Sequence, residues 1–471
     1  MNRSTVALAA AAVALAGCAA PDIDQAVRDT DRSVHAFTGG SLQLSRTQQE
    51  RSAREAIAAR LLSGPLGMDD AVRLALSNSP AVQATLAQRW NDMALAGQSA
   101  RIANPVFTFD RLRDAGGLSL DRLLSVGLLD LLTLPRRQAI ARNAQAQART
   151  QLAIDVVDQV NRVRAAWVRA VASQQRAAYA LQVKEAAAAG AELARRMQEV
   201  GNFSKLQRAR EQAFYADAAT QVAASVQSAT AAREELVRLL GLTEAQAAAL
   251  QLPDRLPELP AAPRAIGEVT AAAIAQRLDV QLARQQLETA GQAQGLALLD
   301  AIVDTEVGVQ HNTLIGSDGR RETQHGYELA VRVPLFDWGQ AQRAAMNAQS
   351  LAAANRYDNT VRAAGSHVRQ SYGAYRSAYD IAKHYRDEVV PLRKTISEEN
   401  MLRYNGMLIG VFDLLADARN QIAAVSAAIE AQQQFWLAEA ALSSTLVGKP
   451  APVDAPPLAN GPSAGADPAA H

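Results

Sequence analysis

Two carboxylates, Asp413 and Asp417, stand four residues apart in the stretch Arg403–Gln421 (RYNGMLIGVFDLLADARNQ). On a helix that spacing puts both on one face. A row of carboxylates is suited to holding or favouring cations rather than to attacking a substrate. Met401 and Met407 flank the break at Asn405-Gly406. Their thioethers suit Cu(I), but with no cysteine or histidine beside them they read as packing groups. His311 and His325 flank the second strand hairpin and read as loop or rim histidines. The chain has no Gly-x-x-x-x-Gly-Lys phosphate loop and no His-Glu-x-x-His. Its one cysteine, Cys18, excludes an internal disulfide. No catalytic, metal or cofactor constellation emerges, and the reading is of a protein that is not an enzyme.

The elements around Arg403–Gln421 place it at the tip of a helical hairpin. One long helix runs from Gln340 to about Tyr404, and a second returns to Leu446. A shorter cousin, Val200–Gln212 (VGNFSKLQRAREQ), sits half a chain earlier, between a helix over 136–200 and a returning helix over 204–240. The first of these has roughly 95 Å of helix at 1.5 Å per residue, with Val156, Val160, Val163, Trp167 and Val171 as its apolar stripe. Gly241 is the expected C-cap. Each half begins with a helix (68–101 and 266–299) and two strands. The strands are expected at 106–109 and 123–134, then at 305–312 and 327–335. Pro135 is placed in the first turn of the following helix. Asn143-Ala144-Gln145 matches Asn347-Ala348-Gln349 at an offset of 204, and Gly201 matches Gly406 at 205. Arg208–Gln212 matches Asp417–Gln421 at 209, so the second tip is expected to be about one helical turn longer on its returning side. Pro391 falls inside the second long helix and predicts a kink, which either helps that hairpin swing or follows a taper.

The N-terminus, MNRSTVALAAAAVALAGC, has the basic start and short apolar core of a signal peptide. Net charge is +1, which excludes a nucleic-acid footprint. Hydrophobic residues make up 49% of the chain but aromatics only 4%, so helices are expected to pack closely through alanine. The expected layout is a signal peptide at 1–17, an N-terminal arm at 18–66, a first repeat at 67–251, a Pro-rich connector at 252–265, a second repeat at 266–448 and a disordered tail at 449–471. Four alternating strands cannot close a barrel, and an open edge cannot sit in lipid. Three chains would supply twelve strands. Very long Ala-rich helices likewise need neighbours. Both features require an oligomer.

Leu-Ala-Gly-Cys18 resembles the lipobox of bacterial lipoproteins. That implies cleavage before Cys18 and acyl chains upon it, a stable covalent lipid anchor; Ala19 then favours the outer membrane. MDDAVRLALSNSP (68–80), PLFDWGQAQRAAMNAQ (334–349) and the two tips, in this order and duplicated, resemble the TolC family of outer-membrane efflux proteins, and the lipobox points to its lipoprotein, NodT/CusC-like branch. The resemblance implies a mainly α fold with a small membrane β-barrel part: duplicated long helical hairpins plus two strands per repeat, in a homotrimeric α-barrel/β-barrel channel. The implied function is the exit duct of a tripartite efflux system, with a periplasmic adaptor and an inner-membrane pump of the resistance-nodulation-division type. The alternatives are the outer-membrane component of a protein-secretion system or a periplasmic scaffold. The resemblance also implies site roles. Val200, Gly201, Asn202 and Ser204, with Tyr404, Asn405, Gly406 and Met407, would dock the adaptor. Asp413 and Asp417 would line a periplasmic gate, although the family often spaces these acids three apart.

Overall fold

The computed structural model describes residues 22–114, 117–265, 274–300, 304–332, 338–448 and 450. The signal segment with Cys18, residues 115–116 of the first strand turn, residues 266–273, the 334–337 stretch and the tail from 451 lie outside them. In chain order the helices and strands are α1 (Ile23–Thr38), α2 (Gln48–Leu61), α3 (Met68–Asn78), α4 (Pro80–Ser99), β1 (Val106–Asp114), β2 (Gly117–Gly127), α5 (Leu128–Glu199), α6 (Lys205–Leu240) and α7 (Glu244–Ala249). The second half supplies α8 (Leu278–Asp300), β3 (Asp304–Gly316), β4 (Arg321–Arg332) and α9 (Gln340–His384). A π-helical turn (Tyr385–Val389), α10 (Val390–Asn405) and α11 (Val411–Val447) complete it. No described helix is long and apolar enough to cross a membrane.

The described chain forms two compact units, each drawing on both sequence halves. The first gathers Ala84–Ile154 and Ala275–Ala363 with the N-terminal stretch to Thr30. It holds the one four-stranded sheet among the described residues, antiparallel throughout in the order β1-β2-β3-β4. In it α8 is tied to the start of α5 through Asn143–Gln292 (3.1 Å) and Gln147–Thr289 (2.5 Å). Gln294 of α8 donates to Asn347 of α9. The two asparagines matched by the sequence repeat thus both bond glutamines of one helix.

The second unit gathers Asp31–Gln83, Asp155–Ile274 and the chain from Ala364. The expected stripe is its core: Val156, Val160, Val163, Trp167 and Val171 are all buried. Trp167 donates its indole N–H to Leu66 O at 2.8 Å, so its one polar atom is satisfied inside. The Pro-rich connector is strapped down. The Tyr379 hydroxyl donates to Pro260 O and Ala261 O, and the Trp436 indole to Pro257 O (each 3.1 Å). Leu259, Tyr375, Tyr379 and Phe435 form a cluster beneath it. Gly241 caps α6 with φ +66, and a Cβ there would lie 2.3 Å from Pro80 Cδ, so conformation and space both require glycine.

Several boundaries differ from expectation. The first helix of repeat one is broken at Ser79, which is extended (ψ 122) because Pro80 follows it. The second strand runs Gly117–Gly127, not 123–134; Leu128 already begins α5. Pro135 therefore lies inside α5 rather than in its first turn. The run LLDLLTL is helical, with Asp130 held by Arg137 at 2.6 Å. Residues 23–38, read as part of a polar arm, form a helix.

Trp167→Ala should cost about 3–5 kcal/mol of stability. Trp338→Ala, at a side chain 59% exposed, should cost under about 0.5 kcal/mol. Urea unfolding of both variants checks the pair.

Candidate functional site

The sheet has two chemically opposite faces. Register and alternation put Phe107, Phe109, Leu124, Val126, Val307, Val309, Tyr327, Leu329 and Val331 on one face. Of these, Phe107, Phe109, Val309, Tyr327, Leu329 and Val331 are each more than half exposed. The opposite face carries Asp110, Asp121, Glu306, Glu322 and Glu328 with Gln310, Asn312 and Gln324. Every described carboxylate of the strands is on that polar face. Every described Arg and His is on the apolar one: Arg111, Arg113, Arg122, Arg321, His311 and His325. The alternation of Tyr327, Leu329 and Val331 with Glu328 and Ala330 is one line of this pattern. Edges β1 and β4 are unpaired among the described residues.

The second unit carries the two tips. Val200 (69% exposed), Met407 (93%) and Leu408 (78%) leave apolar surface uncovered, and Gly201, Asn202, Ser204, Tyr404, Asn405 and Gly406 are exposed beside them. In the first tip Gly201 is left-handed (φ +81), and Asn202 N–H donates to Met197 O at 2.8 Å. In the second the left-handed residue is Met407 (φ +58), and Leu408 N–H donates to Arg403 O at 2.9 Å. Both are Schellman-type endings. The partner of Gly201 is therefore Met407, not Gly406, an offset of 206. The returning helices are capped at Ser204 and Gly410, again 206 apart. The tips are equally long, and the expected extra turn is absent. Phe203 and Phe412, whose rings stack at 4.5 Å, join the tips, with Ala194 and Val411 buried around them. On α5 nearby, Arg195 and Arg196 hold the Glu192 carboxyl down to about 2.

The two candidate gate acids sit in different surroundings. Asp413 is exposed and accepts the Gly410 N–H at 3.2 Å, holding the start of α11. Asp417 is buried at 6% exposure, and its Oδ2 has no hydrogen-bond partner among the described residues. At the same offset of 206 its counterpart is Glu211, also buried, whose Oε1 accepts from Arg419 at 2.7 Å. The Arg419 guanidinium also lies 4.5 Å from the Phe214 ring centre. This ion pair ties α6 to α11. Sequence reasoning missed Glu211 because it set Arg208–Gln212 against Asp417–Gln421; aligning the caps at Ser204 and Gly410 would have found it.

Pro391 has no N–H to continue the helix before it. The chain absorbs this with the π-helical turn Tyr385–Val389 ahead of it. Hydrogen bonds from Arg386 and Lys383 hold the Asp387 carboxyl in that turn well below the usual carboxylate range.

No protein-family model matches the chain. No curated protein matches it by sequence. Solved structures do. VceC, an outer membrane protein of Vibrio cholerae, is 15% identical, with 81% of this chain and 96% of that one covered at a TM-score of 0.66. CmeC, an outer membrane channel of Campylobacter jejuni, is 14% identical over 87% and 89%, at 0.66. CusC, which forms a transmembrane channel, is 13% identical over 83% and 94%, at 0.67. The chain has the fold of these outer-membrane channel proteins: long helices with one small antiparallel sheet.

Removing Arg419 leaves Glu211 buried without its cation. Arg419→Ala should cost about 3–5 kcal/mol, and adding Glu211→Gln should recover much of it. A double-mutant cycle in urea measures the coupling.

Proposed function

We propose that the chain is a TolC-family outer-membrane factor, an exit duct that three copies form around a common pore. The observation that carries this is the sheet: four strands with two open edges, an apolar face and an acidic, polar face. Such a sheet meets the demands of hydrocarbon only when closed with other copies, apolar face outward. The acidic face then lines water and favours cations in transit. On this reading the exposed apolar tips around Val200 and Met407 receive a periplasmic adaptor, which links the duct to an inner-membrane pump of the resistance-nodulation-division type. Asp413 and Asp417 lie just beyond the second tip, where a periplasmic gate would be. Transport energy comes from the pump, so the duct is passive and needs no cofactor and no catalytic group. Lipid chains on Cys18 add an anchor in the outer membrane, as in the lipoprotein branch of the family.

Single-channel recording in planar bilayers tests the duct. The protein should conduct with a preference for cations. Neutralising Asp121, Glu306 and Glu328 to their amides should move the reversal potential in a salt gradient towards zero. Steady absence of openings, even with Asp413→Ala and Asp417→Ala combined, would overturn the reading. Cys18→Ser should weaken membrane anchoring in cell fractionation while leaving the trimer intact on a non-denaturing gel, because the closed sheet rather than the lipid holds the copies together.

A further inference from the structure

The apolar face of the sheet is not apolar along its whole length. Towards the helices it presents the cross-strand rows Val126–Val307–Leu329 and Phe107–Leu124–Val309–Tyr327. The next row towards the hairpin turns is Phe109–Arg122–His311–His325. Beyond it lie Arg111, Arg113 and Arg321. Outward-pointing residues are about 7 Å apart along a strand and strands about 5 Å apart. Arg111 and Arg122 therefore stand diagonally adjacent, within reach of one head group. The His311 and His325 rings face each other with Nδ1 atoms 3.0 Å apart. Among the described residues no carboxylate is within ion-pairing distance of Arg111, Arg113, Arg122 or Arg321. The five described acids of the sheet are all on its other side.

A membrane-facing arginine is costly in hydrocarbon and is placed where a charge or water receives it. Four arginines on one side of the apolar rows, with no acid among them, need an anionic partner. Resting on the duct reading, the hairpin turns lie at the extracellular end, so these arginines stand at the level of the outer leaflet. We propose that the outward surface formed by Arg111, Arg113, Arg122 and Arg321, with His311 and His325, binds the phosphate groups of lipid A in the outer leaflet. Arginine is matched to this task because its planar fork takes two phosphate oxygens at once. A divalent cation on the histidine pair is disfavoured by Arg122 in the same row. The surface thereby sets the depth of the sheet in the membrane, with the apolar rows in the acyl layer and the arginines in the head groups.

The test uses the full-length trimer in detergent and native mass spectrometry. Three probes are titrated: bisphosphorylated lipid A, the same lipid with both phosphates removed, and phosphatidylglycerol. Bisphosphorylated lipid A should bind most tightly. Substituting all four arginines by glutamine should weaken it by roughly a hundredfold or more while barely changing the dephosphorylated lipid. If that variant fails to assemble, Arg122→Gln alone should still weaken phosphorylated lipid A selectively, and the wild-type comparison needs no variant. Equal affinity for phosphorylated and dephosphorylated lipid A overturns the proposal. So does phosphatidylglycerol binding as tightly as lipid A. Bilayer conductance measured on the same preparation separates the two readings. Openings without a phosphate preference overturn the lipid site and leave the duct; no openings and no lipid preference overturn both.

Discussion

The edges of the sheet set the terms for everything else. β1 and β4 each present a row of peptide N–H and C=O groups with no strand partner among the described residues. In water these groups would be solvated at little cost. Between acyl chains each would cost several kcal/mol. A sheet of nine- to thirteen-residue strands with one apolar face therefore has one way into a membrane, which is closure with further copies. Closure dictates that the apolar and acidic faces be separated along every strand, since a single misplaced residue would face the wrong solvent. For the acids the register keeps this separation on all four strands, including the β2–β3 seam that joins the two sequence halves, while the arginines of the apolar face are gathered at its hairpin end.

The helices repeat the demand in a different form. Leu132 (70%), Leu351 (66%), Val226 (51%) and Leu181 (47%) are large apolar side chains left exposed on long helices. Scattered singly, such residues are ordinary on a protein surface. Here they accompany a composition in which alanine supplies much of the apolar content, so each contact buries little and many must be made. Buried alanines such as Ala141, Ala166, Ala172 and Ala187 show how closely α5 already approaches its neighbours within the chain. On the trimer reading, packing against further copies would extend the same close approach to faces that one chain leaves open.

Much of this architecture was legible in the sequence because it rests on local signals. The valine–tryptophan stripe of α5 has helical spacing, and its members are the ones that are buried. The breaks at Gly201, Gly241 and Asn405-Gly406 are written in residues that end helices. Where the reading failed, two local signals competed. LLDLLTL is an apolar run that suits a strand, but its Asp130 and Arg137 are seven residues apart, two helical turns, and their ion pair belongs to a helix. Identity between Arg208–Gln212 and Asp417–Gln421 suggested an extra turn, yet the caps at Ser204 and Gly410, four and seven residues before these stretches, fix the register of each returning helix. The separation of charges across the sheet was not legible at all. It depends on pairing Arg122 with His311, residues nearly two hundred apart, and no single strand shows it.

The corrected offset changes what the second tip is. Glu211 and Asp417 occupy equivalent positions in the two returning helices, about two turns beyond equivalent caps, and both are buried. The repeat thus carries two acids, and Arg419 pairs with Glu211. The equivalent of Arg419 in the first repeat is Ala213, at the same offset of 206. The two hairpins are therefore unequal in charge at the one level where they are otherwise alike. The first hairpin's acid is neutralised and locks α6 to α11. The second's keeps an oxygen buried with no partner among the described residues. An unpaired buried carboxylate oxygen is a standing cost, and it falls on the hairpin that also carries the π-helical turn and Pro391. The second hairpin is thus the less completed of the two, both in its hydrogen bonding and in the continuity of its helix. Any rearrangement at the tips that gives Asp417 water or a neighbouring copy's donor would be opposed by the Glu211–Arg419 pair and favoured by the acid beside it.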